Sequence, residues 1–323
     1  MPYTVVFMGT PQFAVPILQA LLDSEDYAVV AVVTQPDRPT GRKQTLTPSP
    51  VKIAAQAAGA TIYQPEKISG SDVAQAVIDL APDLIITAAF GQFLPTSVLN
   101  AAKIGAINTH ASLLPKYRGG APVHYAIMNG DDETGVSIMY MVKAMDAGDV
   151  LSVVKVPIEA KDNVGSMFDK LSLAGRDLLM STLPKLVAGD IIPTPQNADE
   201  VTFSPNITRE QQQLHFETET AQQLDWHIRG LYPTHPAFAL ANGQRVKFID
   251  VTPLPQTTTT QPGAIVTKDK KQLVVAAAEG TLLQINRLQP AGKGEMDVAA
   301  FLNGAGSALE IGQQWLEVMH EQK

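Results

Sequence analysis

The chain has 323 residues, of which 45% are hydrophobic and 17% charged, with a net charge of −8 and no cysteine. The length favours two domains, and the composition is that of a soluble globular protein. The lack of cysteine excludes disulfides, thiolate nucleophiles and cysteine-ligated zinc, and the negative charge argues against coating nucleic acid through bulk charge. A local basic patch remains possible, because affinity for phosphates depends on where Lys and Arg cluster.

The sequence contains no apolar run long enough to cross a bilayer. The first predicted strand begins near Tyr3, which leaves no room for a signal peptide before it. We therefore expect a cytoplasmic protein that does not bind a membrane.

The first predicted elements resemble the opening of a Rossmann-type unit. An apolar strand over residues 3–8 is followed by Gly9-Thr10-Pro11 and an amphipathic helix that ends near residue 22. The segment GTPQFA lacks the G-x-G-x-x-G fingerprint, because Pro11 and Phe13 stand where that motif needs small residues. The sequence therefore predicts a Rossmann-like fold without a dinucleotide site.

A long basic loop follows the second predicted strand, residues 29–34. It reads QPDRPTGRKQTLTPSPVK and carries Arg38, Arg42, Lys43 and Lys52 against a single Asp37. Loops of this length inside compact domains are usually functional or disordered. Two interpretations remain open, a solvated flap and a basic arm that contacts phosphates.

The fourth predicted strand, residues 83–88, ends in AAFGQFLP. Phe90 and Gln92 would therefore lie at its carboxyl end, where parallel α/β sheets bind their ligands. Aromatic side chains there could flank a flat heterocycle, although packing of the turn is the more common explanation.

The segment IGAINTHASLLPKYRGGAP, residues 104–122, begins as a buried strand and continues into a polar, glycine-rich turn. Asn108 and His110 are two residues apart, so on an extended strand they point the same way. An amide donor can hold a developing oxyanion while an imidazole moves a proton, which is the chemistry of acyl transfer. The alternative is a pair of ordinary turn residues.

Asp146 follows in MDAGDVL, a turn between strands predicted over residues 135–141 and 150–158. A carboxylate can fix the tautomer of an imidazole, so Asp146 is a candidate third catalytic group. The other histidines show no metal-ligand spacing, and we expect no metal site. A helix predicted over residues 165–187 closes this domain.

The second half of the chain has a different pattern of predicted elements. A proline-bearing connector, residues 190–205, leads to a helix at 221–231 and then to short strand-like runs separated by Asn-Gly, Pro-Gly and Glu-Gly turns. Five short strands of this kind indicate a small antiparallel barrel of the OB type. Helical segments are predicted again at 297–302 and 309–320.

Several motifs together resemble those of methionyl-tRNA formyltransferases, a branch of the folate-dependent formyltransferases. They are FMGTPQFA, the PDRPTGRKQTLTPSPVK loop, AAFGQFLP, NTHASLLPKYRGGAPV, MDAGDVL and, near the C-terminus, QPAGKGEMDVAAFLNG. The N-x-H-x-S-L-L-P core with a downstream Asp is typical of the whole class, whereas the basic loop and the QPAGK segment are typical of the tRNA enzymes.

The resemblance implies an α/β fold, with a Rossmann-like formyltransferase domain over residues 1–189, a linker over 190–205 and an OB-like tRNA-binding domain over 206–323. It implies 10-formyltetrahydrofolate as donor, the α-amino group of initiator methionyl-tRNA as acceptor, and a monomer without metal. The implied roles fall into three sets: catalysis by Asn108, His110 and Asp146; folate binding by Ser112, Leu113, Leu114 and Pro115, with Phe90 and Gln92 beside them; and tRNA binding by Arg38, Arg42 and Lys43.

Two alternatives share the same catalytic core, a formyltransferase for a sugar-nucleotide amine and a hydrolase of formyltetrahydrofolate. The long basic loop discriminates against both, because a small acceptor does not require it. A Rossmann-like oxidoreductase and a non-catalytic nucleotide-binding module are weaker alternatives, the first because the glycine fingerprint is missing.

Overall fold

The computed structural model describes residues 1–41 and 43–318. The chain forms two compact units. The first comprises Met1–Pro122, Glu133–Pro157 and Phe168–Pro205, and the second comprises Val123–Asp132, Ile158–Met167 and the chain from Asn206 onward. Among the described residues, no helix is both long and apolar enough to span a bilayer.

The first part of the chain alternates strands and helices. The strands are β1 (Tyr3–Gly9), β2 (Tyr27–Val33), β3 (Arg38–Thr40), β4 (Thr45–Thr47), β5 (Ile62–Tyr63), β6 (Leu84–Ala88), β7 (Gly105–His110), β8 (Glu133–Tyr140) and β9 (Val150–Pro157). The helices are α1 (Val15–Leu22), α2 (Pro50–Ala57), α3 (Asp72–Leu80), α4 (Thr96–Leu99), α5 (Pro122–Met128) and α6 (Val164–Ala188). This order is the predicted βαβ pattern.

Seven of these strands form one mixed sheet in the order β5-β2-β1-β6-β7-β8-β9. The pairs from β5 to β7 are parallel, whereas β8 and β9 are antiparallel to their neighbours. Strand β6 is buried along its whole length, as expected for a central strand covered on both faces. The chain runs outward from β1 through β2 to β5 and then returns to β6, so the topological switch point lies between β1 and β6. Ligands of open α/β sheets bind beyond the carboxyl ends of the strands at such a point.

The basic loop is ordered as a short hairpin rather than an irregular flap. Strands β3 and β4 pair antiparallel, with Arg38 opposite Thr47 and Thr40 opposite Thr45. Helix α2 follows at once, and the Ser49 side chain accepts a hydrogen bond from the Lys52 N–H as its N-cap.

The second unit is built on an antiparallel sheet. Its elements are α7 (Ala221–Leu231), β10 (Phe238–Ala241), β11 (Gln244–Thr257), β12 (Ile265–Lys268), β13 (Leu273–Ala276), β14 (Thr281–Gln289), β15 (Met296–Asp297) and α8 (Val298–Leu302). The strand order is β10-β11-β14-β13-β12, with β15 paired to β14. Helix α7 starts with a capping box between Thr220 and Gln223 and contributes Leu224, Ile228 and Leu231 to the core.

The two outer strands of this sheet are joined by the segment before residue 318. The Glu317 N–H donates to the Leu240 carbonyl of β10, 2.8 Å away, and the Leu316 N–H donates to Gly263 O beside β12, 3.0 Å away. The same segment therefore satisfies backbone groups at both edges, which is consistent with the predicted OB-like barrel.

Two details of the predicted second domain differ from the structure. Residues 309–318 form turns and a bridge between Ala264 and Gln314 instead of the helix predicted for 309–320; the last two residues of that helix lie outside the described residues. Strand β11 is 14 residues long because it pairs with β10 at its start and with β14 along most of its length.

Candidate active site

Asn108 and His110 lie at the carboxyl end of β7, next to β6 on one side and β8 on the other. Being two apart on a strand, they face the same side of the sheet. The buried Thr87 hydroxyl of β6 donates to Asn108 Oδ1 over 2.6 Å. Because this bond occupies the amide oxygen, the Asn108 Nδ2 group is oriented to donate elsewhere.

The His110 imidazole is held in one tautomer by a backbone carbonyl. Its ring is 6% exposed, and its Nε2 lies 3.0 Å from the Tyr117 carbonyl oxygen. A carbonyl only accepts hydrogen bonds, so Nε2 carries the hydrogen and the neutral ring has its free lone pair on Nδ1. Nδ1 is therefore the nitrogen available for proton transfer.

Asp146 faces that free nitrogen. Its Oδ2 lies 3.7 Å from His110 Nδ1, beyond hydrogen-bond range, and accepts a hydrogen bond from the Gly119 N–H at 2.9 Å. The sequence suggested that this carboxylate would fix the tautomer of His110, but the Tyr117 carbonyl does so. The carboxylate instead lies beside Nδ1, the nitrogen with the free lone pair.

The loop over residues 117–119 is backed by residues 202–204 of the predicted linker. Arg118 forms a parallel bridge with Phe203, and the Tyr117 N–H donates to the Thr202 hydroxyl oxygen over 2.9 Å. The buried Ser204 hydroxyl donates to the same Tyr117 carbonyl that accepts from His110, 3.0 Å away. Sequence reasoning missed these residues, because nothing in the local pattern marks a contact across more than 80 positions.

Both halves of the chain match models of one enzyme family. Residues 3–183 match the family described as Formyl transferase, and residues 206–306 match Formyl transferase, C-terminal domain. The methionyl-tRNA formyltransferase of Lactiplantibacillus plantarum is 58% identical over 96% of this chain and 98% of its own. That of Enterococcus faecalis is 59% identical over 94% of this chain and 96% of its own.

The chain belongs to the methionyl-tRNA formyltransferase family. The predicted family and the α/β fold class are thereby confirmed. HypX from Aquifex aeolicus in complex with tetrahydrofolic acid has a TM-score of 0.63 at 16% identity, over 96% of this chain and 49% of that chain. The N-formyltransferase from Helicobacter canadensis, on complex with folinic acid and dTDP-3-aminofucose, has a TM-score of 0.67 at 15% identity, over 88% of this chain and 99% of that chain. At these identities the likeness to both structures is one of fold.

The segment of this formyltransferase predicted to bind folate is fixed by Ser137 of β8. The Ser137 hydroxyl donates to Ser112 O over 2.7 Å and accepts from the Leu114 N–H over 3.1 Å. The Ser112 side chain is fully buried and donates to Lys116 O, Leu114 is buried, and Leu113 and Pro115 are half-buried. Any ligand of this segment would therefore meet its backbone and the side chains of Leu113 and Pro115.

Phe90 and Gln92 do not present free side chains in this formyltransferase. The Phe90 ring is 4% exposed and belongs to the core beneath the sheet, so it does not flank a cavity as the sequence suggested. Gln92 Oε1 accepts from the Ile68 N–H at 2.7 Å, and its Nε2 donates to Pro65 O at 3.1 Å. Gln92 therefore holds the loop over residues 65–68 against the end of β6, and Phe90 packs in the core.

Two of the three hairpin residues predicted to contact tRNA, Arg38 and Lys43, are exposed. Lys43 is exposed, and Arg38 forms an exposed ion pair with Glu66 at 2.7 Å. Arg42 lies outside the described residues. The hairpin is anchored at its root, where Asp37 accepts hydrogen bonds from Lys52 Nζ and from Gln64 Nε2, both at 2.7 Å. These two hydrogen bonds hold the pKa of the Asp37 carboxyl below its usual value, and the one from Lys52 has the larger effect.

The described residues contain no cluster of three or more His, Asp or Glu side chains that could hold a metal ion.

Proposed function

We propose that Asn108, His110 and Asp146 are the catalytic residues of formyl transfer from 10-formyltetrahydrofolate to the α-amino group of initiator methionyl-tRNA. The amine nitrogen forms a bond to the formyl carbon, the bond from that carbon to folate N10 breaks, and the amine proton is transferred to N10. The protein is thus a one-carbon group transferase of translation initiation, with the folate as co-substrate.

Asn108 stabilises the charge that develops on the formyl oxygen. Its Nδ2 is aimed by the Thr87 hydroxyl bond to Oδ1, so the donor is set before the substrate arrives. A preorganised donor costs no reorganisation as the tetrahedral intermediate forms, and one such donor is worth about 3 kcal/mol of barrier.

His110 carries the proton on Nδ1. The Tyr117 carbonyl engages Nε2–H at 3.0 Å, which leaves Nδ1 to take the proton of the attacking amine and to return it to N10. After the first transfer the ring is cationic, and the Asp146 carboxylate 3.7 Å away stabilises that charge.

The folate is proposed to lie at the switch point between β1 and β6, against the segment Ser112–Pro115. The backbone of this segment is fixed by Ser137, and the half-buried Leu113 and Pro115 offer apolar surface to the folate ring. Asn108 and His110 follow on the neighbouring strand β7, within the same row of strand ends.

The β3–β4 hairpin is proposed to contact the acceptor arm of the tRNA through Arg38, Arg42 and Lys43. Arg38 is 56% exposed in its pair with Glu66, and an exposed pair of this kind contributes little stability, so its guanidinium is available to a phosphate. The catalytic domain is assigned to residues 1–189, the linker to 190–205 and the tRNA-binding domain to 206–323.

The working form is proposed to be a cytoplasmic monomer. Light scattering during size-exclusion chromatography tests this directly. A mass near 34.6 kDa is expected, and twice that mass would contradict it.

The identity of more than 50% to methionyl-tRNA formyltransferases across both units is the observation that carries the acceptor assignment. The sugar N-formyltransferases of solved structure are only 15–18% identical to this chain, so the sugar-nucleotide alternative is supported by a shared fold alone.

The test is formyl transfer from 10-formyltetrahydrofolate to charged initiator tRNA, with a dTDP-amino sugar and water as competing acceptors. We expect fast transfer to the tRNA alone. His110→Ala should slow this transfer about 10²- to 10⁴-fold, and Arg42→Ala should raise the KM for tRNA without changing the KM for the folate. Transfer to the sugar amine, or release of formate without tRNA, would contradict the acceptor assignment.

A further inference from the structure

Gln196 lies in the linker and hydrogen-bonds through both ends of its amide. Its Oε1 accepts from Arg118 Nη2 at 2.7 Å and from Arg118 Nε at 3.0 Å. Its Nε2 donates to the carbonyls of Asp146 at 2.8 Å and Gly148 at 2.7 Å. One side chain thus joins the two loops on either side of His110.

Each of these loops supplies the group that lies beside one ring nitrogen of His110. The loop at Arg118 supplies the Tyr117 carbonyl that accepts from Nε2 and the Gly119 N–H that donates to Asp146. The loop at Asp146 supplies the carboxylate that faces Nδ1. The distance between the loops therefore sets the position of the carboxylate relative to the ring.

Asp146 also has a backbone conformation that needs external support. Its φ is +48°, in the left-handed region that non-glycine residues seldom adopt. Its own carbonyl is one of the two that Gln196 holds. Removing that bond removes a restraint on the peptide whose torsion aims the carboxylate.

We propose that Gln196 is a positioning residue for formyl transfer that acts through Asp146. It keeps the carboxylate beside His110 Nδ1 and contacts no reacting atom. This role rests on the proposed function of Asp146. Gln196 is half-buried and is not one of the buried core residues, so its substitution removes hydrogen bonds without opening a cavity in the core.

The experiment is a double-mutant cycle in the full-length protein. Gln196→Met keeps the volume and removes all four hydrogen bonds, and Gln196→Ala serves as a second variant. Each is measured alone and combined with Asp146→Ala, for kcat, for KM of both substrates and for the melting temperature. The control is Asn197→Ala, a neighbouring exposed residue whose side chain accepts from the Asp199 N–H.

We expect Gln196→Met to lower kcat about 10- to 100-fold, since a misplacement of about 1 Å has effects of this size, with both KM values unchanged. In the Asp146→Ala background the same substitution should change kcat less than about twofold, because the residue through which it acts is gone. Asn197→Ala should behave as wild type.

Equal losses of kcat in both backgrounds would overturn the proposal, because Gln196 would then act independently of Asp146. A rise in the KM for tRNA at constant kcat would overturn it in favour of a binding role. Wild-type kcat for Asp146→Ala would contradict the catalytic assignment itself, whereas a slow Asp146→Ala with a fast Gln196→Met would contradict only the role of Gln196.

Discussion

Tyr117 accepts a hydrogen bond from His110 Nε2 through its main-chain oxygen, 3.0 Å away, and is itself in the left-handed region at φ +60°. The tautomer of the imidazole is therefore set by a backbone group. Asp146 faces the other nitrogen, Nδ1, which is the proposed site of proton exchange.

Gly119→Ala should disrupt this arrangement. Gly119 has φ +126°, and a Cβ added there would lie 2.6 Å from the main-chain oxygen of Ser204, so the loop would have to move. We expect a loss of about 2 kcal/mol of stability and a large loss of kcat, because the Gly119 N–H also holds Asp146. Chemical denaturation and steady-state kinetics measure the two effects.

Gly59→Ala is the matched control. Gly59 also has a positive φ, of +67°, but nothing lies within 4 Å of the added Cβ. It should lose about 1 to 2 kcal/mol of stability through backbone strain alone and keep wild-type kcat. Equal kcat values for Gly59→Ala and Gly119→Ala would show that contact with Ser204 is unimportant.

Asp37→Ala should weaken tRNA recognition while leaving the chemistry intact. The substitution removes the anchor that Lys52 and Gln64 share at the root of the hairpin. A mobile hairpin loses preorganisation, so we expect KM for tRNA to rise about tenfold with kcat and the KM for folate unchanged. Glu66→Ala is the control. It removes only the exposed partner of Arg38, so the KM for tRNA should stay unchanged or fall. A wild-type KM for Asp37→Ala would contradict the role of the hairpin.

His227 should give the second unit a pH-dependent stability. Burial opposes its protonation, but the hydrogen bond and charge of Glu219, with the Gln211 carbonyl, outweigh this and raise the pKa of His227. The folded pKa lies above the unfolded value of about 6.5, so the stabilisation is complete below about pH 6.5 and is lost as the pH rises through the folded pKa.

Urea denaturation above pH 6.5 isolates this effect. Burial is the main reason, and the charge of His235 the second, why the pKa of His124 is lowered to about 4. The His124 ring is therefore neutral in the folded protein above pH 6.5, and its titration affects stability only below that pH. His227→Gln should cost about 2 to 3 kcal/mol at pH 6.5 and flatten the dependence above it, and Glu219→Gln should flatten it as well. If the free energy of unfolding depended on pH as in the wild type in both variants, the His227–Glu219 pair would be excluded as the source of that dependence.

The sequence predicted the α/β fold and the shared orientation of Asn108 and His110, because both depend on local patterns. The apolar runs of the central strands mark the sheet, and the two-residue spacing of Asn108 and His110 places both on one face. The sequence singles out Asp146 only by its place in a turn and by the chemistry of a carboxylate beside an imidazole, whereas its proximity to His110 depends on a positive φ.

The supporting contacts could not be predicted because they join backbone groups or residues far apart in the chain. Gln196 and Ser204 belong to a segment that resembles a plain connector, yet they hydrogen-bond to the loops around His110. Phe90 and Gln92 have the residue types of a binding site, but core packing and the loop over residues 65–68 occupy their side chains.

The most direct measurement is the single-turnover rate of formyl transfer by His110→Gln, with His110→Ala for comparison. A glutamine amide nitrogen can take the place of Nε2 and keep the bond to the Tyr117 carbonyl, but it provides no base at the position of Nδ1. We expect both variants to reduce the single-turnover rate equally, by about 10²- to 10⁴-fold. Their circular dichroism spectra should match that of the wild type, because both variants fold. A His110→Gln variant within a few fold of wild type would show that the contact to Tyr117 is what matters and that Nδ1 carries no proton.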